Sequence, residues 1–295
     1  MNAMPAAVVA ALDHRGWTAV VDRAAEEALA RRSLLHLVHA APAIDEAGSQ
    51  LLVSAAQRVA DRPGDQVPVT ATVAPTEALP ALVEIGRDAA LLVVGRSRPG
   101  SHAHPHARSA TVGAAARVAA PVLSVPEDWV PRVGRPTVVA GVNEPGRAES
   151  VLATAVAAAR EHSARLVVIT TSWRPTGAGS APLTQVTDPG TAERSESALW
   201  AALGRYDLDP DDVPVEVVVA QERPGEALLE AGRDAALLVL GRHTALVPTG
   251  SQLGPVARAV LCEATCPVLL AAPERHYWVE PTVSRGHLVT EVPAD

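Results

Sequence analysis

The sequence predicts an α/β protein made of two tandem, doubly wound domains, each a mainly parallel five-stranded sheet with helices on both faces. Three observations lead there. "EIGRDAALLVVGR" (Glu84 to Arg96) returns as "EAGRDAALLVLGR" (Glu230 to Arg242), 146 positions later with two differences. "AAPVLSVP" (Ala119 to Pro126) keeps the 146-residue offset to "TCPVLLAAP" (Thr265 to Pro273). In both halves short apolar runs alternate with amphipathic stretches in the same order, as parallel strands joined by crossover helices require. A period this long, seen twice, means duplicated domains and not a solenoid.

Each element has a local reason. "AAVVAAL" is a continuous apolar run ending at a polar turn, which fits a strand buried on both faces. "WTAVVDRAAEEALARR" sets Val20, Ala24 and Leu29 at helical spacing, with carboxylates and arginines expected on the opposite, solvated face. "SLLHLVHA" reads as a strand, "SQLLVSAAQRVADR" as a helix and "VPVTATVA" as a strand. Helix "PTEALPALVEIGRD", strand "AALLVVG", helix "SATVGAAARVAA" and strand "PVLSVP" complete the first copy. The strands of the second copy are "PTVVAGV", "ARLVVITT", "VPVEVVVA", "AALLVLG" and "PVLLAAP". Near the start "AVVAALD" answers "TVVAGVN" at an offset of 130, so about 16 residues are inserted later. They fit the Pro-, Gly-, Ser- and Thr-rich stretch Trp173 to Gly190, which reads as a loop. The expected domains are residues 1–132 and 133–273, with a C-terminal extension over 274–295.

Composition narrows the function classes. The chain has 295 residues, 48% of them hydrophobic and 20% charged, which suits one large or two ordinary globular domains. A formal charge of −8 argues against nonspecific nucleic-acid binding, which depends on neutralising phosphates. No apolar run approaches the ~18 residues of a membrane helix, and no signal peptide is visible, so the expected location is the cytoplasm without membrane attachment. Two cysteines, Cys262 and Cys266, make no disulfide framework; they read as small buried apolar residues. With no lysine anywhere, a Walker phosphate loop is ruled out, and no nucleophile elbow or H-E-x-x-H motif occurs.

In order, "VVAALD", "SLLHLVHA", "EALPALVEIGRDAALLVVGR" and "AAPVLSVP" resemble the universal stress protein family, and so do "VVAGVN", "EALLEAGRDAALLVLGR" and "LGPVARAVLCEATCPVLL" in the second copy. The resemblance spans roughly residues 5–273 and implies a Rossmann-like fold of the adenine nucleotide alpha hydrolase type. It further implies an internal pseudo-dimer, in which the last strand of one domain pairs with that of the other. In the nucleotide-binding branch of that family, an Asp after the first strand and backbone at the second hold adenine. A loop G-x2-G-x9-G-[ST] after the fourth strand holds phosphates, because glycines permit close approach and the next helix offers free N–H groups.

Carried onto the first copy, this gives Asp13 and Leu37 at the adenine end. Gly95 matches the first loop glycine, Arg98 and Arg108 stand where the other two belong, and Ser109 takes the hydroxyl position with Thr111 nearby. The arginines add donors that could grip an anion in another way. The second copy has Asn143, Ile169, Gly241, Thr244 and Gly254 at these places. Pro255 replaces the hydroxyl residue, which removes both a side-chain donor and a backbone N–H. The implied ligand is ATP or AMP in the first copy, with Mg only alongside ATP, and a more degraded site in the second.

The expected function is a nucleotide- or anion-binding stress-response regulator that acts through ligand-dependent contacts with a protein partner or a second copy, and not an enzyme. Its rivals are a ligand-free interaction module of the same fold and an adenylate-transferring enzyme; intact phosphate loops, which this chain lacks, disfavour the latter. Three histidines at alternate positions, His102, His104 and His106, could meet a metal but read as a solvated loop. His36 and His39 read as satisfied strand-edge histidines, and the acidic pairs Glu26, Glu27 and Asp207 to Asp212 as solvated faces. The tail around Tyr277, Trp278 and Val279 reads equally as an added strand, an arm over a partner or a frayed end.

Overall fold

The computed structural model describes residues 6–43, 45–64, 66–97, 105–131, 134–172, 189–242 and 253–273, with backbone alone for 105–110 and 189. The first half runs β1 (Val8–Ala11), α1 (Trp17–Ala30), β2 (Leu35–Ala40), α2 (Glu46–Ala60), β3 (Val69–Ala74), α3 (Ala78–Ile85), β4 (Leu91–Arg96), α4 (Pro105–Arg117) and β5 (Val122–Pro126). The second repeats the series: β6 (Thr137–Gly141), α5 (Glu149–Glu161), β7 (Arg165–Thr171), α6 (Pro189–Leu203), β8 (Val215–Ala220), α7 (Pro224–Gly232), β9 (Leu237–Leu240), α8 (Pro255–Glu263) and β10 (Val268–Leu270). Most of the stretch read as an inserted loop lies outside the described residues, but its last two residues already belong to α6. The extension over 274–295 and the loop with His102 and His104 also lie outside them.

The strands form one ten-stranded sheet in the order β3-β2-β1-β4-β5-β10-β9-β6-β7-β8. The two five-stranded units are therefore fused into a continuous sheet. Within each unit every pairing is parallel. Among the described residues the one antiparallel pairing is at the junction, where β5 meets β10 with Leu123 opposite Leu269, Val122 opposite Leu270 and Ser124 opposite Val268. The 146-residue offset maps Leu123 onto Leu269 and exchanges the flanking pairs, so the contact is self-complementary as in a two-fold dimer. Each copy thereby covers an apolar edge strand of the other, an edge that would otherwise invite aggregation.

Strand alternation divides the core into two layers. Val8, Ala10, Leu35, Leu37, Leu91 and Val93 face α1 and α2, while Val9, Val38, Leu92 and Val94 face α3 and α4. The second half does the same with α5 and α6 on one face and α7 and α8 on the other. Burial on both faces explains why these strands read as unbroken apolar runs.

Two details of α1 depart from expectation. Leu29 is 45% exposed, because nine residues at ~100° each place it half a turn away from Val20. Arg23 and Glu27, expected on the solvated face, are buried at 5% and 2% exposure. They face α5 of the other half instead of water. Cys266 is buried as expected, but Cys262 is exposed.

Candidate functional site

In each half the chain leaves β1 (or β6) to build strands on one side, then crosses to the other with β4 (or β9). The crevice beyond the strand ends at that reversal is where open α/β sheets admit ligands. A cavity of about 490 Å³ lies there in the first half, lined by Asp13, His14, His39, Gly95, Arg96 and Thr111 among others. Its counterpart in the second half, about 420 Å³, is lined by Asn143, Ile169, Gly241, Arg242, Gly254 and Pro255 among others.

In the first cavity the sequence-derived residues come together in part. Asp13 is exposed at the end of β1, and its Oδ1 accepts the His14 backbone N–H at 2.7 Å. Gly95 lies within β4, not beyond it; a Cβ there would stand 3.2 Å from Val20 Cγ2, so the glycine lets α1 close against the strand tip. The Thr111 hydroxyl donates to the Gly95 carbonyl at 2.8 Å and ties α4 to the end of β4. Leu37 is fully buried on the α1–α2 face, and Val38 and His39 take the cavity side. Arg98 lies outside the described residues, and Arg108 and Ser109 sit on α4 with their side chains outside them. In the second cavity Asn143, Ile169, Gly241 and Gly254 share the wall, and Thr244 lies outside the described residues. Pro255 occupies the first position of α8 after Gly254, so one of the N–H groups a bound anion would use is missing.

Sequence reasoning missed the arginine that ends each repeated thirteen-residue stretch. Arg96 donates to the carbonyls of Leu261 at 2.7 Å, Ala264 at 2.9 Å and Cys266 at 2.9 Å, at the C-terminal end of α8 in the opposite half. Arg242 donates to Val118 at 2.5 Å, Ala120 at 2.7 Å and Ala115 at 3.3 Å, at the C-terminal end of α4, and to its own half at Ala271 at 2.7 Å. The cross-contacts are related by the 146-residue offset. Each guanidinium supplies a planar fan of donors to the carbonyls a helix end leaves unpaired, and its charge meets the negative end of the helix dipole. Burial pushes both guanidinium groups down to about 10, still charged at neutral pH. The signal was present, since both copies of the stretch end in Arg, but a sequence does not show that the acceptors lie in the other copy.

A second contact between the halves joins α1 to the end of α5. Arg23 pairs with Glu27 at 2.5 Å, Arg31 bonds both Glu27 and Glu161, and the His162 Nε2 lies 3.1 Å from Glu27 Oε1. Arg23 also stacks over Trp129, 5.6 Å from the ring centroid, in the segment after β5. Burial alone would raise the Glu27 carboxyl, but the His162 hydrogen bond and the charges of Arg23 and Arg31 outweigh it and hold the group at about 2.

A wider opening, about 840 Å³, is a groove over α1 and α2 that includes Asp22, Arg58 and Arg62. Its Asp22 is already paired with Arg58 at 2.6 Å and Arg62 at 3.4 Å, which makes it a solvated ion-pair surface. At the mouth of the first cavity, His39 Nε2 lies 2.9 Å from Asp45 Oδ2 and His14 Nε2 lies 3.7 Å from the same oxygen. The Gly48 backbone N–H and then the His39 ring lower the Asp45 carboxyl from its ordinary range. His36, by contrast, meets the Thr70 hydroxyl at 2.8 Å on the sheet, and burial lowers it.

The sequence model of the universal stress protein family matches residues 134–272. A universal stress protein of Mycobacterium tuberculosis strain H37Rv is 30% identical over 197 residues, 65% of this chain and 65% of that protein. A second one from the same strain is 28% identical over 207 residues, 69% of this chain and 68% of that protein. Residues 134–272 thus form a domain of the universal stress protein family. Solved structures of the family agree in fold. A putative universal stress protein from Pseudomonas aeruginosa superimposes with a TM-score of 0.61 at 18% identity, covering 90% of this chain and 91% of that one. One from Archaeoglobus fulgidus gives 0.62 at 14% identity, covering 91% and 98%. Both overlays run through most of this chain, first half included, and show that the fold is shared. No helix among the described residues is long and apolar enough to cross a membrane.

Proposed function

We propose that the chain is a tandem universal stress protein of the cytoplasm, with domains at 1–132 and 133–273, whose first cavity binds ATP, AMP or another phosphate-bearing anion. The observation that carries this is the placement of Asp13 and Gly95 on one cavity wall at the strand reversal, with α4 behind them. Adenine and ribose would meet Asp13 and the backbone at the end of β2. The phosphates would lie toward Gly95, Ser109 and the start of α4, with Arg98 and Arg108 supplying charge where the family has glycine. Magnesium would accompany ATP alone. The second cavity, closed to phosphate by Pro255, has kept the shape and lost the chemistry.

The two cavities also have a physical means of communication, which suits a regulator better than a catalyst. Arg96 lines the first cavity and holds the C-terminal end of α8, while the N-terminal end of α8 lines the second. Arg242 lines the second cavity and holds the C-terminal end of α4, whose Thr111 lines the first. A ligand that moves the Arg96 end of β4 is thereby felt in the other half, and the altered surface is what a partner or a second copy would read. Phosphoryl chemistry would need a positioned metal and nucleophile, which this reading does not invoke.

Thermal melting tests the reading. A ligand at 100 times its Kd adds about 2.7 kcal/mol, so saturating ATP or AMP is expected to raise Tm by several degrees. Asp13→Ala and Ser109→Ala are each expected to remove most of the rise. No shift with either nucleotide would leave the ligand-free interaction module as the better account.

A further inference from the structure

We propose that His14, His39 and Asp45 form a transition-metal site, suited to Zn²⁺, at the mouth of the first cavity. The three come from separate elements: the turn after β1, the end of β2 and the residue that caps α2. Their ligand atoms all lie within 4.8 Å of one another. Donors ~2.0 Å from a tetrahedral zinc stand roughly 3.3 Å apart. The separations of 2.9 and 3.7 Å from Asp45 Oδ2 to the two imidazole nitrogens bracket that value.

The protonation pattern calls for a cation at this point. His39 Nδ1 lies 3.0 Å from the Leu12 carbonyl oxygen, which can only accept, so Nδ1 carries the hydrogen. In the neutral ring Nε2 then presents its lone pair to the Asp45 carboxylate, lone pair against lone pair at 2.9 Å. A positive charge must lie between them, either a proton or a metal ion. The His14 ring, turned to the same oxygen from a third direction, provides the further donor that a metal uses and a shared proton does not. A backbone carbonyl fixing the far ring nitrogen is also the usual support behind a metal-binding histidine.

The space is made for this cluster. A Cβ on Gly48 would stand 2.2 Å from His39 Cδ2 and 2.8 Å from Asp45 Oδ2, so only glycine fits in this turn of α2. The backbone register places Thr170 and Glu144 of the second half where His39 and His14 stand, so the duplication alone does not account for the arrangement. The other carboxylate–histidine group among the described residues, Glu27, Glu161 and His162, already holds the guanidinium groups of Arg23 and Arg31. Two imidazoles and one carboxylate with an open fourth position suit zinc best among common divalent ions. That position is left for water or for an oxygen of a cavity ligand. The site requires no nucleotide and stands whether or not one binds.

The test is calorimetric titration of ZnCl₂ into the full chain, stripped of metal by a chelator and free of nucleotide. One Zn²⁺ per chain is expected. His14→Ala, at an exposed position, and Asp45→Asn, which keeps the side chain's size and removes its charge, are each expected to weaken binding at least about tenfold. Joint substitution of His102, His104 and His106 by alanine is expected to leave it unchanged. The absence of binding, binding insensitive to both His14→Ala and Asp45→Asn, or binding lost with the three loop histidines would each overturn the proposal.

Discussion

At the residue scale, Glu27 shows what a helical pattern conceals. The charged stripe of α1 has the period of a solvated face, yet its centre is buried against α5 and Trp129. Period reports which residues share a side, and not whether that side meets water or the other half. The consequence can be measured. With its folded-state carboxyl held near 2 and an ordinary value of 4.5, Glu27 contributes stability that is fully present above 4.5 and is lost as pH falls through about 2. The loss is on the order of 3 kcal/mol. Denaturation at a series of pH values is expected to show a steeper fall between 4.5 and 2 for the native chain than for Glu27→Gln, which at pH 7 is the less stable of the two. A smaller effect lies in β5, where the Ser124 hydroxyl is fully buried and has no hydrogen-bond partner among the described residues. Ser124→Ala removes that unmet group and is expected to raise the unfolding free energy by about 1 kcal/mol in a urea titration.

At the element scale, the strands were the most legible part of the fold. "AALLVVG" and its copy are unbroken apolar runs because both their faces are covered, and β4 and β9 fall on them. Boundaries were less legible: Gly95 reads as the start of a loop but continues the strand, because Arg96 must extend in register with Pro126 before it can turn to α8. The repeated stretch persists for more than strand packing, since its terminal arginine closes the end of a helix in the other copy. Replacing Arg96 or Arg242 by methionine leaves several buried carbonyls without donors, and each substitution is expected to lower the unfolding free energy by roughly 3 kcal/mol. Arg96→Lys is expected to recover only a minor part, because one ammonium cannot fan out to carbonyls of Leu261, Ala264 and Cys266 together. Matching losses at the two positions, read from urea midpoints, would show that the clamp works reciprocally.

At the scale of the whole molecule, the duplication was visible in the sequence, while the continuity of the sheet was carried by family resemblance. Nothing in "PVLSVP" or "CPVLLAAP" states which partner each edge takes; the antiparallel register centred on Leu123 and Leu269 does. Of the candidate site, Asp13 and Gly95 came from the family resemblance, and both line the first cavity. His14 and Asp45 were not legible, since they meet His39 only through the fold. The central claim is that one half keeps a working ligand site and the other has lost it. Calorimetric titration with ATP in the presence of magnesium tests this most directly. One nucleotide per chain, lost on Asp13→Ala and retained on Asn143→Ala, is the expected result. A stoichiometry of two, or binding that Asn143→Ala removes and Asp13→Ala spares, would contradict it.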